Sequence, residues 1–372
     1  MLNVNIMETG GPAPDGSGIP EVLCVGQAVV DCITKNIQDS PDGSGRRVAD
    51  SITLNAGGDA VNEASALAGM GRNAAILCCV GDDNAGRIIL ERAKRSGVNT
   101  DFVAVRPDME TPVANIIVQA DGSRSSISSK ASLLSGDEPD LAGALRAIRE
   151  AAIKEAAKEP AIGETSNAEK AQADPGQGVK VVSFASLFRA PLDDPAVIRK
   201  LIKEAHESGA IICADTKLPT FRRTELYEIA DVLPYIDYFF PNEEEAAYYT
   251  DMDEPREAVT ELLSMGIKGV VVKRGANGIF AGIGWENPAV GCGESFCATC
   301  LASSCSIRDS EKIRGGEMFA LPAIPVDAVD TTGAGDHFVA GFITALLKKK
   351  DFRFCCGMGL AAAARCIVRT GG

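Results

Sequence analysis

An aspartate in a glycine-rich turn is the residue of this chain best placed to do chemistry. Asp336 ends the segment D-T-T-G-A-G-D (330–336), and an apolar helical pattern follows directly. Unpaired N–H groups at a helix N-terminus attract anions, and Gly333 and Gly335 have no Cβ that would keep a phosphate away. A carboxylate there would repel that phosphate, so we expect Asp336 to accept the proton of an attacking hydroxyl group. A capping Asp in an unrelated α/β protein is the alternative.

The elements around this turn follow from the hydrophobic pattern. Alternating apolar residues before the turn predict a strand over 324–329, and apolar residues at helical spacing after it predict a helix over 338–346. Strand and helix patterns alternate repeatedly along the rest of the chain. Repeated βα units predict an α/β fold with a doubly wound, mostly parallel central sheet and helices on both faces. Ligands collect at the carboxyl ends of the strands in such a sheet.

The composition excludes several functional classes. The formal net charge of −14 and the lack of a basic cluster argue against nucleic-acid binding. No apolar run is long enough to cross a bilayer, and residues 1–20 lack the pattern of a secretory signal. We therefore expect a flexible N-terminal tail and a cytoplasmic protein. Twelve cysteines, many in apolar runs, indicate buried free thiols, and the two histidines, His206 and His337, exclude a multi-histidine metal site.

Several motifs, in the same order, resemble those of the ribokinase-like (PfkB) carbohydrate kinases. D-T-T-G-A-G-D resembles the C-terminal signature of that family, and G-G-x-x-x-N (57–62) resembles its N-terminal signature. The residues at 242–245 match the N-x-x-E motif, and V-V-V-K-R-G-A-N-G (270–278) resembles the strand and turn that carry the nucleotide. The resemblance covers residues 21–372 apart from two insertions. It implies the ribokinase-like fold, one kinase domain and a small β-sheet lid.

The resemblance also implies a role for each site residue. Asp336 would be the catalytic base, and the amides of Gly333, Ala334 and Gly335 would stabilise the charge of the transferred phosphoryl group. The other implied residues contact the sugar (Asp31, Gly57, Gly58 and Asn62), the nucleotide (Asn242, Lys273, Gly275, Gly278 and Gly335) or Mg²⁺ through water (Glu245). Asp330 would help to bind K⁺ beside the anion site, as in many relatives.

Judged without the resemblance, several of these residues could have purely structural roles. Asp31 could be a turn residue, Asp330 could only cap its turn, and a Gly-Gly pair before a helix is common. A Glu-rich helix start at 242–245 often only compensates the helix dipole. Lys217, in the segment D-T-K, could reach a phosphate or stay solvated.

Three further segments complete the expected domain. Lid strands are expected within 31–54 and 101–128, where they would cover the sugar and exclude water. Low hydrophobicity predicts a surface insertion at 159–178, and a second insertion is expected at 285–316. The second insertion contains four cysteines, Cys292, Cys297, Cys300 and Cys305. Only one C-x-x-C pair is present among them, so we expect no stoichiometric zinc.

The function implied by the resemblance is ATP-dependent phosphorylation of a primary hydroxyl of a sugar, with Mg²⁺ bridging the nucleotide phosphates. The lid could also support a homodimer, whereas no nucleic-acid or membrane partner is expected. A nucleoside kinase is one alternative, which an aromatic residue on the lid would favour. A catalytically silent relative that only binds ligand is another, and the intact Asp336 argues against it.

Overall fold

The structure is a computed structural model that describes residues 14–39, 44–121, 123–129, 138–157, 178–220, 222–284 and 316–368. Most of the predicted tail and of both predicted insertions, including all four cysteines of the second, lies outside the described residues.

Within these ranges the chain forms fifteen strands. They are β1 (Val22–Val25), β2 (Val29–Lys35), β3 (Gln38–Asp39), β4 (Arg47–Val48), β5 (Ser51–Gly57), β6 (Ala74–Gly81), β7 (Val103–Arg106), β8 (Val113–Val118), β9 (Arg124–Ser128), β10 (Val181–Leu187), β11 (Ile211–Thr216), β12 (Tyr238–Phe239), β13 (Gly269–Lys273), β14 (Ile279–Ile283) and β15 (Glu317–Leu321). Nine of them form a central sheet in the order β15-β14-β13-β12-β11-β10-β1-β6-β7. This sheet is parallel from β13 to β7, and β14 and β15 are antiparallel at one edge.

Helices cover both faces of the central sheet. The α-helices of the described ranges are α1 (Asp59–Gly69), α2 (Asn84–Arg95), α3 (Leu141–Ala156), α4 (Pro195–Glu207), α5 (Glu243–Thr250), α6 (Pro255–Ser264), α7 (Ala334–Leu347) and α8 (Phe352–Ile367). One face packs against α1, α2, α7 and α8, and the other against α3 to α6. None of these helices is both long and apolar enough to cross a membrane.

Strand β1 shows why helices cover both faces of the central sheet. Val22 and Cys24 pack into the core on one face, Leu23 and Val25 pack into the core on the other, and all four are fully buried. Successive side chains of a strand point to opposite faces, so a continuous apolar run requires a helix layer on each side. The prediction of a doubly wound, mostly parallel sheet is confirmed.

The lid, defined as strands β2, β5, β8 and β9, is a separate four-stranded sheet in the order β5-β2-β8-β9. β2 pairs antiparallel with β5 and parallel with β8, and Asp31 lies opposite Asn55. Ile52, Leu54 and Ile127 are more than half exposed on these strands. β3 and β4 form a two-stranded ribbon of their own.

Residues 102–106 are expected in the lid, but the structure places them in the central sheet. β7 (Val103–Arg106) pairs parallel with β6 at the edge of that sheet. β6, α2 and β7 form a βαβ unit, in which the crossover helix returns the chain to a strand parallel to the first. The short, half-buried pattern of β7 does not distinguish a lid strand from an edge strand.

The strand predicted over 324–329 is also wrong, because the chain is irregular between β15 and α7. Pro322 and Pro325 have no N–H group for a sheet ladder. Instead, the N–H groups of Val329 and Asp330 donate to the carbonyl oxygen of Ile367, at 2.7 and 3.1 Å. The end of α8 therefore holds the loop that leads to Asp336.

Helices α7 and α8 approach each other closely through two glycines. A Cβ at Gly341 would lie 2.6 Å from the carbonyl oxygen of Met358, and a Cβ at Gly359 would lie 2.8 Å from the ring of Phe338. Because α7 carries Asp336, this packing sets the position of the helix N-terminus.

We expect Gly359→Ala to lower the free energy of unfolding by roughly 1–3 kcal/mol, because overpacking outweighs the gain in helix propensity. Gly69→Ala on α1 is the matched control, since a Cβ there would have no atom within 4 Å. That variant should be neutral or more stable by up to about 1 kcal/mol. Urea unfolding measures both variants, and equal stabilities would contradict the close packing.

Candidate active site

Asp336 lies in the first turn of α7 and is almost completely buried. The residue is 5% exposed. Asn62 of α1 donates a hydrogen bond from Nδ2 to Asp336 Oδ2 at 2.8 Å. The two residues are 274 positions apart, and each belongs to one of the two signature motifs. The fold therefore brings G-G-x-x-x-N and D-T-T-G-A-G-D into contact.

The surroundings of Asp336 raise its pKa to about 7. Burial is the largest cause, because desolvation disfavours the charged carboxylate, and the negative charges of Asp59 and Asp215 act in the same direction. The positive charge of Lys217 and the hydrogen bond from Asn62 oppose them. Asp336 therefore titrates near neutral pH, which is the range in which a general base works best.

The turn before Asp336 has the geometry of an anion site. Gly333 is the N-cap of α7 with a φ of 75°, a left-handed conformation that glycine adopts without strain. The N–H of Ala334 donates to the carbonyl oxygen of Thr331 over a long 3.3 Å. The N–H groups of Gly335 and Asp336 belong to the first helical turn, which offers them no partner within the helix. They lie at the positive end of the helix dipole.

A buried ion pair faces this turn from the carboxyl ends of two parallel strands. Lys273, the last residue of β13, places Nζ 2.5 Å from Oδ2 of Asp215, near the end of β11. A Cβ on Gly335 would lie 3.2 Å from that Nζ, so the glycine allows the ammonium group to approach the turn. Lys273 is close enough to attract an anion bound at the N-terminus of α7.

Asn242 and Glu245 form a capping box at the start of α5. Asn242 Oδ1 accepts the N–H of Glu245, and Glu245 Oε2 accepts the N–H of Asn242, both at 2.9 Å. The hydroxyl of Thr216 also donates to Glu245 Oε2, at 3.1 Å. Burial and the charge of Asp215 raise the pKa of Glu245. The N-x-x-E motif thus has a structural role in capping, and it directs the Glu245 carboxylate inwards.

Asp31 and the glycine pair lie together at the junction of the lid and α1. A Cβ on Gly57 would lie 2.2 Å from Oδ2 of Asp31, so the missing side chain leaves room for this carboxylate. Gly58 has a φ of 94°, and a Cβ there would lie 2.4 Å from the carbonyl oxygen of Gln27. Burial, with the charge of Asp59, raises the pKa of Asp31 to about 6.

An ion pair between Asp59 and Lys217 lies among these residues. Lys217 Nζ is 3.2 Å from Asp59 Oδ1. The charge of Asp59 raises the pKa of Lys217, and the nearby Asp336 adds to this effect. Sequence reasoning left Lys217 undecided and did not consider Asp59. Their positions in the sequence could have indicated that both lie near the site, since Asp59 follows the glycine pair and Lys217 follows the carboxyl end of β11.

Two of the other predicted residues, Gly275 and Gly278, follow β13 at the same edge of the sheet, and Asp330 lies in the loop before α7. Gly275 (φ 53°) has open space around a Cβ position, whereas a Cβ on Gly278 would lie 2.0 Å from the carbonyl oxygen of Leu321. Gly278 therefore has a packing reason to be glycine. Asp330 Oδ1 accepts the N–H of Thr332 at 3.0 Å, which is a turn-capping contact.

Comparisons with known proteins identify the family. The pfkB family carbohydrate kinase model matches residues 20–153 and 149–372 of this chain. An uncharacterized sugar kinase of Archaeoglobus fulgidus is 26% identical over 305 residues, which are 82% of this chain and 95% of that protein.

Solved structures share the fold. Arabidopsis thaliana ribokinase complexed with ribose and ATP has a TM-score of 0.67 and 21% identity, with 95% of each chain covered. A putative ribokinase II from E. coli in complex with ATP and Mg²⁺ has a TM-score of 0.61 and 21% identity, covering 95% of this chain and 94% of that chain. Since the family match spans almost the whole sequence and the two signature motifs meet at Asp336, the chain belongs to the pfkB family of ATP-dependent carbohydrate kinases.

Proposed function

We propose that this kinase transfers the γ-phosphoryl group of ATP to a primary hydroxyl of a sugar, with Asp336 as the base. The observation that carries the proposal is the buried Asp336 carboxylate, which Asn62 holds at the N-terminus of α7. With a pKa of about 7, this carboxylate accepts a proton from the hydroxyl as the oxygen attacks phosphorus.

The anion turn and its neighbours are suited to the nucleotide phosphates. The amides of Gly333 to Asp336 would donate to the transferred group, where its negative charge is greatest in the transition state. Lys273 lies next to Gly335 and would add positive charge. Asn242, Gly275 and Gly278 lie further along the same edge, and they are the residues proposed to contact the rest of the nucleotide.

The charges near this turn fit a divalent cation brought with ATP. Asp215 and Glu245 are both buried, and among the described residues Lys273 is the cation that pairs with Asp215. Hydrogen bonds hold the Glu245 carboxylate in place, so its orientation towards a hydrated ion is set in advance. Among the described residues, no group of three acidic, Cys or His side chains is arranged to hold a metal by itself. Mg²⁺ held near these carboxylates would neutralise negative charge on the ATP phosphates.

Asp31 and Asn62 are the groups proposed to hold the sugar hydroxyls. Asp31 is half-buried on lid strand β2, where burial and then the charge of Asp59 raise its pKa, and the charge of Asp59 also raises the pKa of Asp336. Charged acceptors and amide donors of this kind bind hydroxyl groups well. The Arabidopsis ribokinase structure contains ribose and ATP, which supports a pentose-sized acceptor here.

The lid favours a sugar over a nucleoside. A nucleoside base is usually held by stacking on an aromatic ring, and strands β2, β5, β8 and β9 contain no aromatic residue. The exposed Ile52, Leu54 and Ile127 of the lid support the further proposal of a homodimer through this sheet.

Asp336→Asn should lower turnover by roughly 10²- to 10⁴-fold and change ATP affinity little, because the shape is kept and the base is lost. ADP release with a panel of sugars measures turnover, and calorimetric titration with ATP measures affinity. Thermal unfolding controls for the fold. A variant that turns over at the wild-type rate would refute the role of Asp336.

The pH dependence of kcat/KM should show an apparent pKa near 7, with activity rising as Asp336 ionises. Asp59→Asn removes a negative charge that raises this pKa, so its profile should move to lower pH. Lys217→Gln removes a positive charge that lowers it, so its profile should move to higher pH. Profiles measured between about pH 5.5 and 9 test this, and shifts of both variants in the same direction would contradict the electrostatic assignment.

K⁺ activation stays a prediction. A cation between the Asp330 carboxylate and the loop carbonyls would orient the amides of Gly333 to Asp336, and we expect faster turnover in K⁺ than in Na⁺ at equal ionic strength. Asp330→Asn keeps an oxygen that can accept the N–H of Thr332 but removes the charge, so it should abolish the preference. Identical wild-type rates in the two salts would mean that Asp330 only caps its turn.

A further inference from the structure

A fully buried acid, Glu63, lies next in the chain to the asparagine that contacts Asp336. Glu63 is 1% exposed on α1, directly after Asn62. None of the roles proposed above involves it. Acidic side chains are almost never buried completely unless they are paired, so the burial of Glu63 needs a physical reason.

Polar side chains of three neighbouring strands form a row under the Glu63 carboxyl group. Cys24 of β1 lies opposite Ser183 of β10, and Ser183 lies opposite Cys213 of β11, on the sheet face that α1 covers. Cys24 Sγ donates a weak hydrogen bond to Glu63 Oε1 at 3.6 Å. The Ser183 hydroxyl is buried and, within the described residues, makes no hydrogen bond of ordinary geometry, so its oxygen can accept a proton carried by Glu63. These surroundings suit a carboxylic acid better than a carboxylate.

The charges around Glu63 oppose its ionisation. Burial is the main reason that its pKa is raised from 4.5 to about 8, and the negative charges of Asp336 and Asp215 raise it further. Hydrogen bonding to its two polar neighbours only partly opposes this shift. Burial and the charge of Glu63 raise the pKa values of the Cys24 and Cys213 thiols well above their ordinary range, so both thiols stay neutral while Glu63 titrates.

Asp336 and Glu63 form a pair of acids whose surroundings separate their pKa values. Asp336 accepts a hydrogen bond from the Asn62 amide, which favours its charged form, and the positive charge of Lys217 acts in the same direction. Glu63 has only a thiol in the place of that amide. Because the two acids repel each other when charged, the second proton is held more tightly once the first has left. Asp336 therefore ionises first, and Glu63 keeps its proton.

We propose that Glu63 is a positioning residue for phosphoryl transfer: its protonated carboxyl group holds α1 and Asn62 in place without adding charge, and loss of its proton sets the alkaline limit of the reaction. This proton is released to solvent and is not transferred to the substrate. An ionised Glu63 would repel the negative charge of the ATP phosphates and of the transition state through a medium of low dielectric constant. The proposal rests on the kinase activity proposed above.

The pH dependence of kcat/KM tests the role in turnover. The wild type should give a bell-shaped profile with apparent pKa values near 7 and near 8, which belong mainly to Asp336 and to Glu63. Glu63→Gln imitates the protonated acid, so it should keep the acid limb and lose the alkaline limb. Glu91→Gln, an exposed change of the same kind on α2, is the matched control and should keep both limbs. An alkaline limb that Glu63→Gln retains, or a wild-type rate that does not fall above about pH 8, would overturn the proposal.

Thermal stability as a function of pH tests the proton of Glu63 without depending on turnover. The unfolded chain releases this proton near pH 4.5 and the folded chain near pH 8, so Glu63 makes the wild type lose stability as the pH rises between these values. Glu63→Gln lacks this loss, so its Tm should rise relative to that of the wild type between about pH 5 and 8. The Tm of Glu91→Gln should stay parallel to that of the wild type. A Tm difference between Glu63→Gln and wild type that is the same at every pH would contradict a buried protonated acid.

The two measurements separate this inference from the kinase function. A Tm difference that grows with pH supports the buried acid even where no acceptor releases ADP, and the missing turnover would then count against the kinase function. Sugar phosphorylation with the same alkaline limb in wild type and Glu63→Gln would leave the kinase function standing and overturn the role of Glu63.

Discussion

The hydrogen bond between Asn62 and Asp336 is the contact on which the rest of the site depends. A carboxylate that is 5% exposed would be costly without a donor, and Asn62 provides one from a different helix. The bond requires the N-terminal turns of α1 and α7 to lie next to each other. Both helices pack on the same face of the sheet, which brings these two turns together. β5 of the lid runs through the glycine pair directly into α1, which ties the lid covalently to the helix whose Asn62 contacts Asp336.

Negative charge is the second constraint on the site. Lys217 and Lys273 each pair with one carboxylate, those of Asp59 and Asp215. A further buried acid, Glu63, follows Asn62, and burial raises its pKa to about 8, so that it stays protonated at neutral pH. A proton on Glu63 keeps another negative charge out of the core beneath Asp336. Burial is the main reason that the pKa of Asp336 is raised to about 7, and the negative charges of Asp59 and Asp215 raise it further.

Those parts of the structure that depend on local pattern could be predicted from the sequence. Helix α4 is an example, since apolar periodicity, the Asp194 cap and Pro195 at its start all act within a few residues. The doubly wound sheet follows from repeated apolar strands between helices. The family follows from the signature around Asp336, because a glycine-rich turn and a carboxylate at a helix start are encoded in one short segment.

The sequence by itself determined the fold class and the family and singled out Asp336 as the proposed base, whereas only the tertiary structure decided what surrounds that carboxylate. β7 joins the central sheet because β6 offers it a partner, and the loop before Asp336 is irregular because α8 binds its N–H groups. The ion pair of Asp59 with Lys217 joins residues far apart in the chain. Burial and Coulomb interactions depend on which groups lie close together in space, and residues distant in the sequence come close only once the chain has folded.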